Sequence, residues 1–304
     1  AVYYFMETLF MEKIYFSATE NTICLFNVCE HKIPCKASGR MKNGRNHGET
    51  GEKSKKRRRR SIHRSDGTEQ LQTIIDDSER IVFFGGAGVS TESDIPDFRR
   101  ADGLYRQKYK YSPEQIVSHS FFVQSPEGFY EFYKEKMMFL DAKPNAAHRK
   151  LAELEAAGKL TAVITQNIDG LHQAAGSKNV LELHGSIHRN YCMKCHKFYD
   201  AAYVKHADGI PRCSCGGMLK PDVVLYEEGL DSAVINKSVK AISEADTLII
   251  GGTSLIVYPA AGFIDYFRGK HLVVINKGAT AREVGAELTI AAPIGEILGQ
   301  IKVQ

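Results

Sequence analysis

The stretch "IVFFGGAGVSTESDIPDFR", Ile81 to Arg99, begins with four apolar residues and turns at once into glycines and hydroxyls. An apolar run without polar alternation is what a strand covered on both faces of a parallel sheet requires. The glycine turn behind it can form a backbone nest that holds a pyrophosphate. Its spacing fits neither common nucleotide motif. Gly86-Ala87-Gly88 is followed by Val89, Ser90 and Thr91 rather than a third glycine, and no second strand presents an acidic residue about 20 positions on. A P-loop would need a Gly-Lys-Ser/Thr ending, which is absent.

Outward from this turn, strands and helices alternate. Upstream, Asp66 and Glu69 suggest a capping box ahead of Leu71, Ile74 and Ile75 at helical spacing. Downstream, the helix "NAAHRKLAELEAAG" closes on Gly158 and feeds the strand "LTAVITQN", and "VLELHG" reads as another strand. A helix from Asp231 to Ala245 precedes "TLIIGGTS", and one from Pro259 to Gly269 precedes "HLVVIN". The pattern predicts an α/β fold, a Rossmann-like doubly wound parallel sheet. Phe98 to Pro144, with the aromatic stretch "GFYEFYKEKMMFL", and Ile187 to Asp222 break the alternation. These are expected to be two insertions, one helical and one zinc-binding, that build a smaller lobe. The aromatic stretch reads as core of that lobe.

Ligands of such sheets bind at the carboxyl ends of the strands. Those ends here read "GGAGVS", "TQNIDG", "LHGS", "GGTS" and "INK". Small, amide, imidazole and hydroxyl groups replace apolar ones at all five, so they could converge on one ligand.

The charge balance separates a leader from a body. Residues 1 to 66 carry 14 Lys and Arg against 7 Asp and Glu, which leaves 26 against 29 of the chain's 40 and 36 for the remainder. Gly39 to Gly67 is polar, Gly-rich and highly charged, so residues 1 to 66 are expected to be a disordered basic extension. Its "KSKKRRRR" reads as a solvated charge run before it reads as an import signal or a surface tether. The mildly acidic body offers no nucleic-acid footprint, and no nucleic-acid partner is expected. No apolar run approaches the roughly 18 residues of a membrane span, and no secretory address is apparent.

Cys192 and Cys195 in "YCMKC" are followed after 17 residues by Cys213 and Cys215 in "CSC". Two close thiolate pairs at this separation suit one tetrahedral zinc in a closed, structural site, although the second pair is a C-x-C rather than a C-x-x-C knuckle. A thiolate cluster also fits a reducing compartment, and the expected location is cytoplasmic. Cys24, Cys29 and Cys35 form no second set of knuckles.

Together, "GAGVSTESDIPDFR", "TQNIDGLH", "LELHGS", the four-cysteine module, "KPDVVLYEEG", "GTSLIVYPAA" and "VVINK" resemble, in order and spacing, the motifs of the sirtuins, most closely those of bacterial type. The resemblance covers about residues 67 to 304, as one catalytic domain. It implies a protein lysine deacetylase that consumes NAD and releases nicotinamide, O-acetyl-ADP-ribose and deacetylated protein. It implies that Ala87 and Thr91 line the cofactor phosphates and ribose, with Gly86, Gly88 and Ser90 shaping the turn. Phe98 and Arg99 would cover the nicotinamide side, in a loop with Asp97 that closes over the ribose. Gln166 would contact that ribose, while Asn167, Ile168 and Asp169 hold the carboxamide. Thr253, Ser254, Asn276 and Lys277 match the adenosine end, and His184 matches the general base. Val224, Leu225 and Tyr226 match the strip along which an acetyl-lysine peptide lies as an added strand. His148 and His172 are assigned packing or hydrogen-bond roles.

Two departures bear on that implication. Asp94 stands where the family usually has Gly, and Asp tolerates a left-handed backbone better than most residues. Succinyl-preferring sirtuins share a Tyr-x-x-Arg pair; here Tyr133 is followed by Lys136, which lacks the planar fork for a carboxylate. Acetyl-lysine is therefore the expected substrate class. The rival readings are mono-ADP-ribosyl transfer, removal of another acyl group, and a zinc-ribbon module with a basic arm for nucleic acid.

Overall fold

A computed structural model of the protein describes residues 64–96, 110–278 and 285–303. The basic extension up to residue 63, and Asp97, Phe98 and Arg99, lie outside the described residues.

Six parallel strands form the main sheet: β1 (Ile81–Gly85), β2 (Leu160–Thr165), β3 (Val180–Glu182), β7 (Thr247–Gly251), β8 (His271–Ile275) and β9 (Leu288–Ile290), in the order β3-β2-β1-β7-β8-β9. Phe83 aligns with Val163 on one side and Ile249 on the other, so the "IVFF" run lies at the centre, with all four side chains fully buried. One face packs on α1 (Arg64–Asp77), α5 (Ala146–Ala156) and α9 (Ile294–Leu298) through Leu71, Ile75, Leu151, Leu154 and Ile297. The other packs on α8 (Ser232–Glu244) and the 3-10 segment Ala260–Tyr266 through Ile242, Ala260 and Phe263. The chain winds outward from β1 in both directions, which places a topological switch point between β1 and β7.

The insertions leave the carboxyl ends of β1 and β3. The first holds α2 (Pro113–Ile116), α3 (His119–Gln124) and α4 (Pro126–Lys136). The second holds β4 (Gly185–Cys192), β5 (Phe198–Tyr199), α7 (Ala201–His206) and β6 (Leu219–Val223), with its strands in an antiparallel sheet ordered β5-β4-β6. The two share one core: Phe122, Phe129, Tyr130 and Tyr133 pack against Ile187, Val204, Leu219 and Val223. The Tyr130 hydroxyl donates to the Leu219 carbonyl, and burial holds both tyrosine hydroxyls above their usual range. The stretch "GFYEFYKEKMMFL" is thus lobe core.

Two local expectations are corrected, and one strand has no sequence signal. The first helix begins at Arg64, which places Asp66 inside the helix rather than at its cap. Pro259 to Gly269 is not an α-helix closing on Gly269 but a 3-10 segment ending at Tyr266. Its i, i+3 repeat puts Ala260 under Phe263 and Ala261 under Ile264 on the buried side. β9 has no signal in the sequence, because three residues with the middle one exposed carry too little pattern. By contrast, Asp231 caps α8 as expected, its carboxylate accepting from the Val234 amide at 2.9 Å.

Candidate active site

The loops after β1 and β7 interlock at the switch point. The Gly86 amide donates to the Gly251 carbonyl at 3.3 Å, and the Gly88 amide to the Gly252 carbonyl at 2.7 Å. A Cβ on Gly86 would lie 2.9 Å from Thr253 Cβ, and one on Gly88 would lie 2.8 Å from both Gly252 Cα and its carbonyl oxygen. The glycines are therefore needed first for backbone-on-backbone packing, whatever anion the turn also cradles. Ala87 and Thr91 are half-buried at its surface, and the Thr91 hydroxyl donates to the Gly88 carbonyl at 3.0 Å. Asp94 has φ 61°, the left-handed conformation that Asp tolerates better than most residues. Asn145, the cap of α5, braces the turn by donating to the Val89 carbonyl at 2.7 Å and to Ser93 Oγ at 3.0 Å.

A polar cluster bridges the glycine loops to the end of β2. Gln166, nearly buried, donates from Nε2 to Thr253 Oγ1 at 3.1 Å, and its amide donates to the Gly85 carbonyl at 3.0 Å. Asn167 Nδ2 donates to Ser90 Oγ at 3.0 Å, and Ser90 Oγ donates onward to Asp169 Oδ2 at 2.6 Å. The other Asp169 oxygen accepts the Leu171 amide at 2.9 Å, at the start of α6 (Leu171–Ala174). His184 Nδ1 lies 2.9 Å from the Gln166 carbonyl oxygen. A carbonyl only accepts, so Nδ1 carries the proton and Nε2 carries the basic lone pair, the tautomer a general base needs.

His184 is flanked by the strip after β6. The Val224 amide donates to the His184 carbonyl at 3.0 Å, and the Tyr226 amide to the Val117 carbonyl at 3.0 Å. The Leu225 amide donates to Glu228 Oε2 at 2.9 Å. Burial pushes the Glu228 carboxyl up, but the Leu225 amide, His119 and Lys220 outweigh that and hold it below its usual range. Glu227 adopts φ 76° and accepts the Ser120 amide at 2.8 Å, which fastens the strip to the helical insertion.

Other expected residues sit at the margin. The Gly252 amide donates to the Ile275 carbonyl at 3.1 Å, which joins the end of β8 to the second glycine loop. Asn276, half-buried, turns its side chain to the Gly278 carbonyl at 2.8 Å, while Lys277 is exposed and Ser254 half-buried. Phe98 and Arg99 lie outside the described residues. Behind the cluster, the rings of His148 and His172 stand 4.7 Å apart, both buried. Burial lowers His148 to about 4 and His172 to about 3, so both are neutral near pH 7. The packing role assigned to them fits, but their mutual contact has no signal in the sequence.

The four lobe cysteines converge. Sulfur separations are 3.5 Å for Cys192–Cys215, 3.5 Å for Cys195–Cys213 and 3.4 Å for Cys195–Cys215, and all four sulfurs lie within 4.8 Å of one another. A tetrahedral zinc with Zn–S of about 2.3 Å has sulfur edges of about 3.8 Å, so the set fits that ion. The Cys215 amide and the Tyr199 hydroxyl pull the Cys213 thiol down to about 5, already favouring a thiolate. At Cys195 the Lys197 amide also lowers the thiol, but contacts with Cys215, Cys213 and Cys192 push it up to about 12. Four sulfurs this close need a cation before all can ionise.

Comparison with known proteins finds similarity to one family. A family model described as the Sir2 family matches residues 86–259. A protein of Clostridium acetobutylicum named NAD-dependent protein deacetylase is 63% identical over 237 residues, covering 77% of this chain and 97% of its own. A Clostridium perfringens protein of the same name is 60% identical over 240 residues, covering 78% and 98%. Among solved structures, a complex of a Sir2 enzyme with a p53 peptide and NAD+ superposes with a TM-score of 0.68 at 37% identity, covering 76% of this chain and 95% of that one.

Proposed function

The chain belongs to the Sir2 family, and we propose that it is an NAD-dependent protein lysine deacetylase whose site is the cluster between the two glycine loops, the end of β2 and His184. The observation that carries the reading is the His184–Gln166 hydrogen bond, because it joins the basic imidazole to the same group of residues as the glycine turn. NAD enters as a substrate and supplies an anomeric carbon from which the acetyl oxygen displaces nicotinamide.

In this reading the turn from Gly86 to Thr91 takes the phosphates, with Thr253, Ser254, Asn276 and Lys277 toward the adenosine. Phe98 and Arg99 cover the nicotinamide side. Gln166 contacts the ribose, and Asn167, Ile168 and Asp169 take the carboxamide. The Asn167–Ser90–Asp169 chain fixes each of these polar groups before substrate arrives, which limits reorganisation during reaction. His184 accepts a ribose hydroxyl proton at Nε2 while Nδ1 stays bonded to the Gln166 carbonyl. The ribose oxygen then takes the acetyl carbon as the lysine amine leaves with a proton, and one water adds to complete the ester, so the products are nicotinamide, O-acetyl-ADP-ribose and free lysine. Val224, Leu225 and Tyr226 hold the substrate peptide, and acetylated proteins are the partners. Zinc at Cys192, Cys195, Cys213 and Cys215 is structural. Four thiols in one site suit a reducing compartment, which supports a cytoplasmic location.

The test incubates the protein with NAD and an acetylated peptide and follows products by mass spectrometry. Deacetylated peptide and O-acetyl-ADP-ribose are expected, with His184→Ala reducing turnover at least 100-fold, on the order expected for loss of a general base, while zinc stays bound. ADP-ribosylated protein without deacetylation would replace this reading with ADP-ribosyl transfer.

A further inference from the structure

Residue 188 lies on β4, the strand that starts beside His184 and ends at Cys192. Its exposed imidazole reaches out of the small lobe to the loop at the end of β2, where Nε2 lies 2.9 Å from the Asp169 carbonyl oxygen. The same ring covers the bare α-carbon of Gly170: a Cβ there would lie 2.7 Å from His188 Cδ2 and 2.8 Å from Nε2. Gly170 has φ 72°, so a left-handed residue and a ring contact coincide at the turn. One residue earlier, the Ile187 amide donates to the Ile168 carbonyl at 3.0 Å. Two successive residues of β4 therefore grip two carbonyls of the Ile168–Gly170 loop, one through main chain and one through a side chain.

We propose that His188 is a positioning residue for the nicotinamide pocket: its Nε2–H holds the Asp169 carbonyl and so sets where the Asn167–Asp169 loop presents its polar groups. This rests on the reading above, in which that loop takes the carboxamide. The mechanism is local. Asp169 uses one carboxylate oxygen on the Leu171 amide and the other on Ser90, so its side chain can satisfy both only while its main chain is fixed. The carbonyl is the main-chain acceptor that a lobe side chain holds, and a donor is what it needs. His188 touches none of the reacting atoms and acts through Asp169. The clamp also gives the zinc lobe a second purchase on the pocket, through the strand that ends in a metal ligand.

The test compares His188→Phe, which keeps a ring over Gly170 but removes the donor, with His188→Gln, which restores an Nε2–H donor. For His188→Phe the KM for NAD and the nicotinamide concentration for half-inhibition are expected to rise about three- to tenfold, the range one net hydrogen bond allows. The KM for the acetylated peptide and the zinc content stay unchanged, and His188→Gln stays within about twofold of wild type. Amide hydrogen exchange across residues 166–172 is expected to quicken in His188→Phe and not in His188→Gln, a readout that needs no turnover. The proposal is overturned if His188→Phe leaves both NAD KM and exchange unchanged, if peptide KM and zinc content shift along with NAD KM, or if Gln fails to rescue. Should wild type release no nicotinamide while the exchange pattern holds, the deacetylase reading fails and the clamp stands.

Discussion

Replacing His172 by Leu should change how the fold responds to acid. His172 is 1% exposed, and among the described residues neither ring nitrogen meets a hydrogen-bond partner. Burial is the main reason its pKa falls from 6.5 to about 3. A base whose folded pKa lies below its unfolded value contributes stability above pH 6.5 and loses it as pH falls toward the folded value, because only the unfolded chain takes up the proton. At pH 5 the loss from His172 alone is about 2 kcal/mol, and His148, lowered to about 4, adds about 2 kcal/mol more. Together they remove a large share of the roughly 5–15 kcal/mol that holds a domain folded. The assay is urea unfolding at pH 7, 6 and 5 on wild type and His172→Leu, both with zinc bound. At pH 7 the variant should lie within about 1 kcal/mol of wild type, since a buried unpaired N–H is exchanged for an apolar group of similar size. Between pH 7 and 5 it should lose about 2 kcal/mol less. If both proteins lose stability in parallel, the histidine is not buried neutral in the way described and the account fails.

Four further outcomes follow from the same structure. Gly88→Ala should raise the KM for NAD more than about tenfold and cost about 1–3 kcal/mol, since its Cβ meets Gly252 backbone at 2.8 Å. Gly158→Ala is the control: it has φ 78° but open space around it, so melting should show only about 1 kcal/mol of loss, with normal turnover. Zinc removal by a chelator should abolish turnover and cooperative melting of the small lobe, and readdition should restore both; metal-independent activity would contradict the shared core. On one peptide carrying either acyl group, acetyl should be removed at least about tenfold faster than succinyl, because Tyr133 is fully buried and Lys136 pairs with Glu135 at 2.9 Å.

Much of this molecule could be read from its sequence where local pattern and tertiary demand coincide. The "IVFF" run reads as a central strand because a strand covered on both faces has no polar alternation. The C-x-C knuckle could be assigned to zinc because sulfur placement depends on short chain separations. Asp94 stands out through the resemblance, where Gly is usual, and its left-handed backbone gives the physical reason. The glycine turn is legible as a candidate site, but its main packing constraint is not: its glycines also serve a second loop more than 160 positions away, and no local window contains both. The His148–His172 pair and the His188–Asp169 bond escaped for the same cause, since each joins different elements without periodicity. Val224, Leu225 and Tyr226 are legible as a strip through the resemblance, but the partners of their amides are not.

That last detail governs what a guest chain can offer. An N–H gives one good bond and a carbonyl can take two, and the hydrogens on Val224, Leu225 and Tyr226 are already committed within the protein. As the proposed peptide site, the strip is left to accept through its carbonyls, of which Leu225 already takes the Glu228 amide and Tyr226 the His119 amide, so a bound peptide must bring its own donors. Side chains beside the modified lysine can vary widely under such terms, but an imino acid at a donating position has nothing to give, so acceptable target sites should be promiscuous in sequence and intolerant of proline there.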